Sequence, residues 1–189
     1  MSGTTNMRDD LGYVRDVVSR SERSAFPGGI AYLWAAIGFV GFSLIDFAPE
    51  LVPVFWTIAS PVGFILSAWL GWRHARKAGQ GSRREGHAHM LHWGGLMAAI
   101  FLLYPLIAQG ALQGREIAQV ILLFVTLGYF LAGVHLVPAL KWAAVAMALG
   151  YVATITLDGF AWTALGVLFA AGLVVSARAA GDGRGSARA

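Results

Sequence analysis

Cysteine is absent and charge is scarce. Of the 189 residues none is Cys and 13% are Asp, Glu, Lys or Arg, against 57% hydrophobic. The first absence excludes disulfides, thiolate metal sites and cysteine nucleophiles together. The second excludes a soluble enzyme, because a soluble domain carries about 25% charged residues to keep its surface wetted. Catalytic signatures are missing too: the chain holds no Gly-x-Ser-x-Gly and no His-Glu-x-x-His, the patterns of intramembrane or soluble serine and zinc hydrolysis. No Asp, Glu, Lys or Arg falls near the middle of any long apolar run. Such groups mark proton relays and ion-coupled transport, so their lack argues against a proton-coupled transporter and an embedded carboxylate enzyme.

What is present is apolar, small and aromatic. Mean hydropathy is +0.64, and 24 glycines and 7 tryptophans are spread through Ala-rich stretches, a composition of helices packed closely in lipid. A membrane helix needs about 20 mostly apolar residues. Six runs qualify, at 30–47, 51–72, 92–109, 117–137, 140–157 and 160–177. Most connections between them are short, which makes consecutive helices antiparallel neighbours. The predicted fold is therefore an all-α integral membrane protein, with six transmembrane helices as three antiparallel hairpins in a domain spanning 27–177. A basic loop at 73–91 interrupts it, and a disordered tail follows at 178–189.

Residues 1–26 predict a short amphipathic helix before the first span. Asn6 can cap it, Asp9 and Asp10 face its positive end, and Leu11, Val14 and Val18 form one narrow apolar stripe. Pro27-Gly28-Gly29 then breaks the helix. Its reading is either an interfacial helix on the inner leaflet or a docking helix for a cytoplasmic partner. The polar first 25 residues contain no apolar core of a cleavable signal peptide.

Net charge is +4, and its placement matters more than its size. With a cytoplasmic N-terminus, only Arg115 of the 14 Lys and Arg residues lies on the outer side. That is a positive-inside pattern, which predicts a cytoplasmic (inner) membrane with both termini inside. It also excludes a nucleic-acid reading, since these cations border helix ends, where anionic inner-leaflet lipids lie.

Three sets of residues are candidates for a site. His74, His87, His89, His92 and His135 all fall at the cytoplasmic side. If a cofactor is held, a histidine-ligated metal or haem on His89, His92 and His135 is the expected form, with His74 or His87 as a fourth group. The competing uses of these imidazoles are pH sensing and interfacial solvation. Pro61 and Pro105 interrupt helical patterns, and Ser60, Tyr104 and Tyr129 are candidates to line a pocket for a small neutral or weakly charged solute. Asp46, Glu50, Glu116 and Asp158 lie at outer turns, either as an acidic vestibule or as plain turn residues. Small residues four apart (Gly94 with Ala98, Gly95 with Ala99, Gly128 with Ala132, Ala146 with Gly150) predict close helix approach or a homo-oligomer.

The function this favours is a non-enzymatic accessory or regulatory membrane protein that meets a cytoplasmic or membrane protein partner through its cytoplasmic face. The alternatives are a solute-binding or permeation subunit, and a histidine-ligated metal or haem protein.

Overall fold

The computed structural model describes residues 27–78 and 83–182, so the expected N-terminal helix lies outside the described residues. Every regular element among those described is helical: α1 (Gly28–Phe47), α2 (Val52–Ala78), α3 (Arg83–Phe101), α4 (Tyr104–Ala108), α5 (Gly114–His135), α6 (Lys141–Thr156) and α7 (Ala161–Asp182), with 3₁₀ turns at Pro49–Leu51 and Pro138–Leu140. Six spans are long and apolar enough to cross a membrane: Gly28–Phe47, Pro49–Arg76, Gly86–Ala108, Gly114–His135, Pro138–Thr156 and Ala161–Ala180. At ~1.5 Å per residue each reaches about 30 Å. Internal backbone hydrogen bonding makes the helix the form such a sequence takes in lipid.

Two expected boundaries move. The 73–91 stretch is largely helical, because α2 runs on to Ala78 and α3 begins at Arg83. Likewise α7 continues to Asp182, past the point at which a disordered tail was expected. Hydropathy marks where lipid ends, whereas a helix can run on beyond lipid with its hydrogen bonds intact. The two prolines act differently. Pro61 sits inside a continuous α2, but Pro105 stands in the first turn of α4, where its missing N–H costs nothing. The α4 helix ends in a Schellman turn, in which Ala111 N–H donates to the Leu106 carbonyl at 2.9 Å. The intervening Gly110 has φ +72°, a conformation glycine adopts without strain.

The extensive contacts give the spatial order α2, α1, α7, α6, α5, α3. α1 touches α2, α3 touches α5, and α6 touches both α5 and α7, but the largest interface joins the first span to the last. The two run antiparallel: Gly28 lies opposite Ala177, Gly38 against Phe169, and Gly166 against Phe39. Similarly Gly150 packs on Leu165 and Gly172 on Ala143 and Ala146, which sets α6 antiparallel to α7. The core is built on α7, from Trp162, Leu165, Phe169, Leu173 and Ala177, with Ala31 and Ala35 on one side and Ala143 and Met147 on the other.

Of the expected small-residue pairs, Gly128 and Gly150 are filled by Leu96 and Leu165, while Gly94 and Gly95 meet nothing within 4 Å.

Candidate functional site

Polar side chains in this bundle work mostly at helix ends. Asp46, at the C-terminal end of α1, accepts from the Thr163 backbone N–H at 2.7 Å and from its hydroxyl at 2.8 Å. Thr163 stands in the first turn of α7, whose N–H groups have no intrahelical acceptor. A carboxylate there also faces the positive end of the helix dipole. Arg115 does the reverse job at the same end, donating to the Thr154 carbonyl in the last turn of α6. Glu116 closes a capping box with Gln113 at the start of α5. The expected acidic vestibule is thus divided among separate turns. Asp46 and Glu116 serve as caps, and Glu50 and Asp158 are exposed at turns of their own.

At the other end, the buried Ser176 hydroxyl lies 2.8 Å from the carbonyls of Gly172 and Ala139 and ties α7 to the 3₁₀ turn before α6. α7 is therefore held at both ends by side chains from or to other segments. Replacing Asp46 with Ala should cost about 0.5–2 kcal/mol, the usual loss of a helix cap. Asp46→Asn, which keeps an acceptor oxygen, should cost less than half as much. Thermal unfolding in detergent distinguishes them; equal losses would mean that charge rather than the acceptor matters.

The histidines do not assemble as expected. His92 Nε2–H donates to the Gly128 carbonyl at 2.9 Å, which sets the register of α3 against α5. His135 lies seven residues farther along α5, ~10 Å away at 1.5 Å per residue, and is exposed. His89, one turn before His92, lies nearer the level of Leu131 than of His135. Among the described residues no three His, Asp or Glu side chains come together to hold a metal ion. His74 lies one turn before the end of α2, which packs on α1 and makes no extensive contact with α3 or α5. The physical reason is register: with His92 level with Gly128, His89 stands only ~4.5 Å beyond that level and His135 ~10 Å beyond it.

Around His92 lies an aromatic run that sequence reading missed. His92 meets Trp93 edge to face at 5.0 Å between centroids, and Trp93 meets Tyr129 at 5.2 Å. Tyr129 then contacts Phe169 at 5.5 Å, Phe169 contacts Phe42 at 6.0 Å, and Phe42 contacts Trp56 at 5.7 Å. These rings join α3, α5, α7, α1 and α2 in one line, each pair in tilted or edge geometry favoured by the ring quadrupole. The arrangement positions helices; it does not gather ligands. No signal short of the helix pairing could have found it, because its members are far apart in sequence.

The expected solute-lining residues are separated. Ser60 is half-buried on α2, Tyr104 is 60% exposed and stacked on Phe101, and Tyr129 is buried in the core. A hollow does occur elsewhere, as an apolar groove of about 340 Å³ between α5 and α6.

No family model matches this chain, and no curated protein or solved structure matches it either. The fold itself defines the class: a polytopic α-helical membrane protein with six apolar spans.

Proposed function

We propose that the chain is a multi-pass protein of a cytoplasmic (inner) membrane, with both termini cytoplasmic and its spans paired as three hairpins. In this reading it acts as a non-enzymatic accessory or regulatory protein through its cytoplasmic face. The contrast between bundle and periphery carries the reading. Of the α7 span 39% is buried, against 6% for α2 and 6% for α3. Those two helices are the ones that flank the basic stretch between them, so a partner could engage both without disturbing the α1, α5, α6 and α7 core.

Orientation draws support from the inner end of α2. The Arg73 guanidinium lies 5.3 Å from the Trp69 ring and that of Arg76 4.5 Å from the Trp72 ring. Cation–aromatic pairs suit the headgroup region, where Trp anchors a helix and Arg meets phosphate. Reporter fusions after Glu50, Gly114 and Gly159 should read as external, and one after Gly81 as cytoplasmic. A cytoplasmic signal from the Gly114 fusion would break this topology.

Purification of the full chain in mild detergent tests the function. The expected result is a stoichiometric protein partner that is lost when residues 1–25 are deleted. A co-purifying small molecule with no protein partner would overturn the reading in favour of a solute-binding subunit.

A further inference from the structure

The groove between α5 and α6 has a wall, a floor and one charged end. Leu123, Leu127 and Phe130 of α5 form the wall, spaced so that all three lie on one helix face. Ala144, Val145 and Ala148 of α6 form the floor, and the two alanines make the hollow. Thr126 also borders it but turns its hydroxyl onto the Leu122 carbonyl at 2.7 Å, so no polar group is left seeking a partner. The lining is apolar throughout.

Lys141 closes the pattern. It precedes Ala144, Val145 and Ala148 by three, four and seven residues, the spacing that places side chains on one face of a helix. Lys141 is exposed and begins α6, so it stands at the basic end of the bundle, on the helix face that carries the groove floor. Trp142 lies beside it, with the ammonium 5.9 Å from the ring centroid. The positive end of the α6 dipole adds to the same field. From Lys141 to Ala148 the axial distance is ~10 Å, which carries the apolar channel from the headgroup level well into the hydrocarbon.

We propose that this groove is a binding site for one anionic glycerophospholipid of the leaflet on the Lys141 side. The phosphate meets Lys141, and one acyl chain lies along Ala144 and Ala148 under Leu127 and Phe130. Charge complementarity selects a lipid over a second copy of the chain: an apolar helix entering the groove would leave the Lys141 ammonium beside it unpaired. This site is independent of the accessory role and requires only that the spans lie in a bilayer.

The test compares retained phosphatidylglycerol with phosphatidylcholine of the same acyl chains, by native mass spectrometry of the full chain from mixed micelles. Wild type should retain phosphatidylglycerol about five-fold over phosphatidylcholine, the effect of one near-surface cation. Lys141→Gln should reduce that preference to near parity, and Lys141→Arg should keep it. Arg178→Gln removes a cation from the same end but off the groove, and should change nothing. Ala148→Leu should lower retention of both lipids by filling the hollow. Unchanged preference in Lys141→Gln, or unchanged retention in Ala148→Leu, overturns the site. A dimer that Ala148→Leu abolishes, with no lipid preference in wild type, also overturns it and makes a second copy the occupant.

Discussion

Gly38→Ala should lower the unfolding midpoint of the detergent-solubilised protein, and the loss should largely vanish once Phe169 is replaced by Leu. A Cβ at position 38 would fall 2.3 Å and 2.4 Å from two carbons of the Phe169 ring. That ring is not free to swing, because Tyr129 holds it on one side and Phe42 on another. Overpacking of this kind costs about 1–3 kcal/mol. Alanine's better helix propensity returns at most ~1 kcal/mol, so the clash wins. For a chain of this size each kcal/mol moves the midpoint by roughly 2–4 °C. Phe169→Leu carries its own cost, since it breaks a line of rings at the centre. The double variant should nonetheless be more stable than the sum of the singles, with a coupling of about 1 kcal/mol or more. Additive losses would show that α1 and α7 do not meet at this pair.

Gly133→Ala is expected to be the most damaging glycine-to-alanine change among the described residues. Its Cβ would lie 2.6 Å from the Lys141 nitrogen, 2.9 Å from its Cα and 3.1 Å from its Cβ. Backbone atoms cannot rotate out of the way, so α5 and α6 must move apart where they are joined most tightly. The connection between them offers little slack: the N–H groups of Leu136 and Val137 both donate to the Ala132 carbonyl. The loss should reach the upper part of the overpacking range, about 3 kcal/mol. Gly94→Ala provides the contrast. Nothing lies within 4 Å of a Cβ there, and the variant should be neutral or gain up to ~1 kcal/mol from propensity. Unfolding in mixed micelles against increasing dodecyl sulfate reads both. Equal shifts for the two variants would remove the close approach at Gly133.

The same two glycines show how the sequence divides between what it declares and what it conceals. Gly94 and Gly133 both sit in apolar, helical stretches rich in small residues, and nothing local tells the crowded one from the open one. Arg115 was equally opaque. It stands out in the sequence as a cation set apart between apolar runs, but its purpose, holding the last turn of α6, needs the partner helix. Thr163 carries no signal at all, yet it receives Asp46 from a helix more than a hundred residues away.

The sequence by itself determined the spans and their approximate ends. Those properties follow from the hydrophobicity and length of each segment taken alone, since every unburied backbone group in lipid must be satisfied within its own helix. Only the tertiary structure decided that the first span pairs with the last, that His92 meets Gly128 rather than His135, and that Asp46 caps α7. In lipid a helix is apolar on every face, so hydrophobic periodicity does not reveal which face is buried; shape, through small residues and the rings set against them, makes that choice.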